Sequence, residues 1–323
     1  MFEAKKINCF RLQAEDWNLD MKTALEAVRS KLAKPLDAIT DEVNIGWASG
    51  KSELILDVNE ENSVVGDCLY LSCRIAVKKI PSGIANALLR KKMAEYMAEN
   101  GVEYISGKVK KELKEEVAGY LLPRTMPTVK SVWVVICPDG LVLIGSVRPN
   151  DIDCIWSLFM NTFDRTLNTV TQWSVPDKPC AEMMFLTDLF RQSDTMTAFD
   201  FSVSAPFNFA STTEEDVCTG ATLKGDICNR SSEVGSALRN KKLLKKVKLS
   251  VSDEERAWCF TLDGNCGLSG LDCPESDEMD FNTVFAEKVQ SVRDLFGWLD
   301  GMFEKFMSDK NIEQKFFDWI SAK

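Results

Sequence analysis

Lys79–Arg124 reads KIPSGIANALLRKKMAEYMAENGVEYISGKVKKELKEEVAGYLLPR, and this stretch decides the architecture. Ile80-Pro81 ends the sheet-like pattern before it, and Ser82 is placed to cap a helix in which Ala85, Leu89, Met93 and Tyr96 share one face. Asn100-Gly101 closes that helix. Ser106 is placed to cap a second, in which Val109, Leu113, Val117 and Leu121 fall four apart. Pro123 stops it, because proline cannot extend the hydrogen-bond ladder. Two apolar stripes joined by a short loop predict a helical hairpin.

Outward from the hairpin the pattern turns to strands. Before it, Ile7–Leu12 reads as a strand, Asp20–Leu32 as a helix with Met21, Leu25, Val28 and Leu32 on one face, and Leu69–Val77 as another strand. Gly46-Trp47 is read as introducing a strand over Leu54–Val58. After the hairpin, Ser131–Ile136 and Leu141–Val147 flank the turn tripeptide Pro138-Asp139-Gly140, which predicts a β-hairpin. A similar layout follows Trp258–Leu262, through Asp263-Gly264 to Cys266–Leu271. The stretch from Pro176 to Thr222 shows no clean period, and Phe281–Ile320 reads as terminal helices. The fold class expected is α+β, with mixed sheet domains and a protruding helical hairpin.

Charge is distributed unevenly over these elements. From Arg74 to Lys130 there are twelve basic side chains against six acidic, a balance of +6, in a chain of 323 residues whose net charge is −10, so the rest sums to −16. Positive charge concentrated in this way steers a polyanion to one place. The bland alternative is a helix pair whose lysines serve solubility. A second basic run follows Ser232: Arg239, Lys241, Lys242, Lys245 and Lys246 stand in a helix-to-strand stretch with no acid from Val234 to Ser252. In the strand, Val247, Leu249 and Val251 alternate with Lys246, Lys248 and Ser250, which puts both lysines on the face opposite the core.

Composition excludes several chemistries. The sequence has no histidine, so Ser/His/Asp and Cys/His nucleophilic machinery cannot be built. Its 11 cysteines include no CxxC pair and suit reduced thiols better than a disulfide framework. Gly46-Trp47-Ala48-Ser49-Gly50-Lys51-Ser52 is one residue short of a phosphate loop and does not lead into a helix pattern. No metal, cofactor or catalytic residue is expected. Nor is a membrane span or an apolar signal core read in the sequence, so the expected location is the cytoplasm.

Three pieces around the hairpin, Lys79-Ile80-Pro81-Ser82, Leu113-Lys114-Glu115-Glu116-Val117 and Leu121-Leu122-Pro123-Arg124, precede the Trp133–Val147 hairpin in an arrangement that resembles the bacterial recombination-associated protein RdgC family. Phe10-Arg11-Leu12, Gly46-Trp47, and Lys245–Val251 leading to Trp258 agree with it. The resemblance implies a nucleoid-associated, non-enzymatic protein. Two horseshoe protomers would close into a ring around double-stranded DNA with little regard to sequence, limiting recombinase access in recombination and replication. It further implies a central sheet domain over residues 1–79 and 125–172, a helical finger over 80–124 and a base domain over 173–323. A hydrophobic residue just after the Leu-Pro-Arg run is implicated in DNA binding or ring closure. Here it is Met126, where phenylalanine is usual. A lysine-glutamine pair in the base aligns with Lys224-Gly225, where the glutamine is missing.

The DNA-binding set expected from the basic runs and the resemblance together is Lys108, Lys110, Lys111, Lys114, Arg124, Met126, Lys224, Arg239, Lys242, Lys245, Lys246 and Lys248. The partners expected are double-stranded DNA, a second copy of the chain and a recombinase, with no membrane. Two rival readings are an interaction protein that uses the helical hairpin, and a metal-dependent nuclease.

Overall fold

Strands and helices are interleaved along the chain in the computed structural model, which describes residues 6–11, 20–169, 181–192, 200–211, 221–223, 231–240, 242–252, 257–264, 267–272, 280–308 and 314. The order begins β1 (Lys6–Arg11), α1 (Met21–Arg29), β2 (Val43–Ser49), α2 (Glu60–Ser63), β3 (Val64–Val65), β4 (Cys68–Val77), α3 (Ser82–Asn100), α4 (Gly107–Leu121) and β5 (Thr128–Ile136). It continues with β6 (Leu141–Ile144), α5 (Pro149–Phe163), β7 (Asn168–Thr169), α6 (Ala181–Gln192), β8 (Asp200–Ser211), β9 (Ala221–Leu223) and α7 (Ser232–Arg239), and ends with β10 (Lys242–Ser252), β11 (Ala257–Asp263), β12 (Leu268–Asp272) and α8 (Phe281–Ser308). By contacts the chain falls into two units, one of Met1–Met21, Val64–Tyr70 and Val134–Lys323, the other of Lys22–Ser63 and Leu71–Trp133. The architecture is mixed α+β, built on antiparallel sheet.

The second of these units contains the helix pair. β2 runs antiparallel to β4, Val43 opposite Val77 and Ser49 opposite Leu71. β4 is buried at nine of its ten positions, so both its faces are covered and its sequence need not alternate. Gly46 lies inside β2, where a Cβ would sit 2.5 Å from Ala33 N. That approach is fixed by two backbone hydrogen bonds, Ala33 N to Trp47 O at 2.8 Å and Trp47 N to Lys31 O at 2.9 Å.

Two local expectations are corrected here. Gly46-Trp47 does not introduce a strand over Leu54–Val58; it is the middle of β2, and residues 54–58 form no strand. Leu54 is 77% exposed, and the carbonyls of Ile55 and Val58 are met by Ser49 N and Arg29 Nε rather than by a ladder. Ser82 does not cap α3. Pro81 holds the cap position with no side-chain bond, and Ser82 is the first helical residue. Proline presets the backbone dihedral there, so the helix starts without a hydroxyl acceptor. At the other end Gly101 takes φ 63°, the left-handed conformation that ends a helix, and its N–H donates to Met97 O.

In the other unit the strands follow the order β5-β6-β1-β12-β11-β10-β8-β9. β1 sits between partners from distant parts of the chain, Phe10 opposite Val142 and Ile7 opposite Leu268, both antiparallel. The hairpins expected around Pro138-Asp139-Gly140 and Asp263-Gly264 are present as β5–β6 and β11–β12. The terminal apolar stretch is a single helix, α8, as far as Ser308, burying Phe285, Val289, Val292, Leu295, Phe296, Leu299 and Phe303 at helical spacing. Phe285 meets Tyr70 at 4.9 Å between ring centroids, Phe303 meets Phe185 edge-on at 5.1 Å, and Trp258 donates from Nε1 to Ser291 Oγ at 2.8 Å. In the unpatterned stretch from Pro176 to Thr222, the described elements are α6, β8 and the start of β9.

Candidate nucleic-acid interface

α4 is built as its spacing required. Ser106 Oγ accepts from Val109 N at 3.4 Å, Val117 is buried, and Val109, Leu113 and Leu121 are half-buried. The exposed part of the helix carries Lys108, Lys110, Lys111 and Lys114 together with Glu112, Glu115 and Glu116. Lys111 approaches Glu115 at 3.8 Å, one turn on, with both side chains more than two-thirds exposed. Such a pair contributes a few tenths of a kcal/mol at most, so it does not fix the lysine. Lys108, Lys110 and Lys114 make no ion pair among the described residues. Lys92 of α3 is half-buried and pairs with Glu116 across the two helices.

The turn after α4 presents a cluster. Leu122–Arg124 forms a 3-10 turn beyond the helix. Arg124 folds back so that Nη1 donates to Tyr120 O at 2.7 Å, and its guanidinium lies 3.9 Å from the centroid of the Tyr120 ring. Tyr120 is 51% exposed and Met126 77% exposed. A stacked guanidinium keeps donors available for phosphate while its orientation is fixed, and an exposed ring offers a stacking face. Tyr120 was absent from the expected set; its signal is the four-residue spacing to Arg124 at a helix end.

Two cations of the basic stretch do not reach the surface. Arg74 is 3% exposed and Lys78 is 5% exposed. Lys78 Nζ donates to Pro123 O at 3.3 Å, which ties the Leu-Pro-Arg turn to the end of β4. The local surplus of positive charge is therefore smaller at the surface than in the sequence.

The second basic group lies on α7 and β10. Arg239 and Lys245 are exposed and Lys242, Lys246 and Lys248 are half-buried, while Val247 and Leu249 are fully buried. The expected alternation holds, and both strand lysines stand away from the core. Asp263 lies opposite Lys246 in the ladder, but its Oδ1 accepts from Gly267 N at 2.9 Å in the β11–β12 turn. Beside this strand is an open groove of about 420 Å³ lined by Ser232, Ser236, Asn240 and Lys242. Register shifts between β10 and β8 at Leu244, Lys246 and Lys248 interrupt that ladder, and Leu244 N instead donates to Thr187 Oγ on α6 at 3.0 Å. Lys224 and Gly225 lie outside the described residues. The α4 group belongs to one unit and the α7–β10 group to the other.

The near-miss phosphate loop has structural duties. Gly46 and Ser49 are in β2, Ser49 Oγ donates to Asn62 O at 2.5 Å, and Lys51 Nζ donates to Glu61 O at 2.8 Å. Among the described residues no group of three or more Cys, Asp or Glu side chains is arranged to hold a metal, and no helix is long and apolar enough to cross a membrane.

Comparison with known proteins bears on what these surfaces serve. Residues 2–284 match the family described as "Putative exonuclease, RdgC". The chain is 24% identical over 187 residues to the recombination-associated protein RdgC of Janthinobacterium sp. (strain Marseille), an alignment covering 54% of this chain and 59% of that protein. It is 27% identical over 147 residues to the recombination-associated protein RdgC of Herminiimonas arsenicoxydans, covering 41% of this chain and 46% of that one. The alignments thus span about half the length of each relative.

Proposed function

Because the chain belongs to the RdgC family, we propose that it is a recombination-associated protein that binds double-stranded DNA without sequence preference. Two copies close into a ring around the duplex, limiting recombinase access from a place on the nucleoid. In this reading the α3–α4 pair is the finger of each protomer, with Tyr120, Arg124 and Met126 at its root, and β10 with α7 contributes to the lining of the hole. The observation that carries the reading is the outer face of β10. A strand that buries Val247 and Leu249 turns Lys246 and Lys248 outward beside Lys245 and Arg239, in a chain whose net charge is −10. Lysines grouped on one surface neutralise phosphates without reading bases. Ring closure is the arrangement that lets an acidic protein hold DNA, since the acidic surplus faces away from it.

The test is a titration of random-sequence duplex by fluorescence anisotropy at two salt concentrations. Binding that weakens steeply with salt and is indifferent to sequence supports the reading; affinity insensitive to salt, or one strongly preferred site, overturns it.

The family's description favours one second reading, an exonuclease. Without histidine it would need carboxylates around a divalent ion. End-labelled duplex incubated with magnesium separates the two: progressive shortening by purified protein, abolished by chelator, supports the nuclease, and intact DNA supports the binding protein.

A further inference from the structure

Cys68 and Cys137 stand sulfur to sulfur, with Cys68 Sγ donating to Cys137 Sγ at 3.7 Å. Both side chains are buried, yet each is one residue from solvent. Cys68 opens β4 directly after exposed Gly66 and Asp67, and Cys137 follows the last residue of β5 and precedes exposed Pro138 and Asp139. Gly66 has φ 61°, so the turn before Cys68 is tight and short. Strand ends at such turns open first, with far smaller free energies than the whole fold.

Asp67 Oδ1 lies 3.3 Å from Cys68 Sγ, and Arg293 of α8, held by Asp139 at 2.6 Å, interacts electrostatically with both sulfurs. We propose that Cys68 and Cys137 are a redox modification site, oxidised by a peroxide to a disulfide that closes the chain at both ends of the segment carrying α3 and α4. This goes beyond DNA binding and does not depend on it.

The reaction balances. One thiol takes oxygen from hydrogen peroxide, giving a sulfenic acid and one water; the second sulfur then displaces its hydroxyl, which leaves with that thiol's proton as a second water. Two electrons pass from sulfur to oxygen, and a dithiol reductant reverses the step. The sulfurs must close from 3.7 Å to about 2.05 Å. The hydrogen bond to Cys137, with burial, holds the Cys68 thiol well above its ordinary pKa. The closed Cys68 thiol is therefore a poor nucleophile, and the reaction runs through opening of the strand ends, where the burial and the hydrogen bond that hold its proton are lost.

The experiment treats the native full chain with hydrogen peroxide, quenches it, unfolds it, alkylates the remaining thiols and maps the peptides by mass spectrometry. A cross-linked pair of peptides carrying Cys68 and Cys137, two hydrogens lighter than the reduced pair and separated by dithiothreitol, is expected. The oxidised chain should also melt higher than the reduced one, on the order of 5 °C or more, because a long loop is closed. C68S should lack both effects. Alkylation of both cysteines after peroxide, their recovery as sulfinic acids, or their pairing with other cysteines would overturn the proposal on the parent chain alone, whatever the stability of the variant.

Discussion

At Gly46 a single missing carbon permits the fold. A methyl group there would stand 2.5 Å from Ala33 N and 2.6 Å from Ala33 Cα, backbone atoms pinned by the hydrogen bonds to Trp47. Gly46→Ala should destabilise the protein by about 1–3 kcal/mol, as overpacking does, measured by urea unfolding. If that variant unfolds at the parent's midpoint, the close approach of the two segments is not what the glycine serves. Tyr70 carries a pH dependence. Burial raises its phenol from 10.0 to about 12. The folded state thus holds the proton that the unfolded chain releases near pH 10. Its contribution is complete below pH 10 and is lost as the pH rises toward 12. Melting temperature should fall over that window in the parent, and Tyr70→Phe should flatten the fall.

Among the elements, β10 and α4 present positive charge in different ways. On β10 the pleat turns Lys246 and Lys248 away from the core, and Lys245 is exposed at the register shift, so all three can be reversed without entering the core. The triple change to Glu should leave the melting temperature within a few degrees of the parent's and reduce the slope of log affinity against log salt by roughly 2–3, about 0.9 for each lost phosphate contact. Parental DNA binding by this variant at physiological salt would remove β10 from the interface. On α3, Lys91 lies 3.7 Å from Glu95 on an exposed face, so reversing Lys91 changes a partly compensated charge and should weaken binding less. The helical hairpin was legible because Val109, Leu113, Val117 and Leu121 repeat every fourth residue and Gly101 ends α3. The missed strand was not legible, because β2 owes its place to partners on β4 and at Lys31–Ala33 that no local period announces.

For the whole molecule the proposed ring makes mass the decisive quantity. Light scattering at micromolar concentration should give twice the 36.3 kDa of one chain, with and without DNA. A monomeric mass would end the ring reading while leaving the basic surfaces to be explained by an open complex. The two outcomes differ further in kinetics: a closed ring leaves linear duplex with free ends faster than duplex blocked at both ends, whereas an open complex leaves both at one rate. Residence times on the two substrates at equal salt measure this directly.

The sequence by itself determined the elements whose cause is local. Turn residues at Pro138-Asp139-Gly140 set one hairpin, alternation at Val247, Leu249 and Val251 set the core face of β10, and the four-residue period set α4. Backbone dihedrals and the geometry of the pleat and helix act over a few residues, so a short window contains them. The tertiary structure alone decided what depends on distant partners. It put β1 between Val142 and Leu268, buried Arg74 and Lys78 out of a run in which basic side chains outnumber acidic ones two to one, seated Gly46 against Ala33, and brought Cys68 to Cys137. Burial and pairing are properties of what packs against a residue, and those neighbours lie up to 263 positions away along the chain, as Lys6 and Ser269 do.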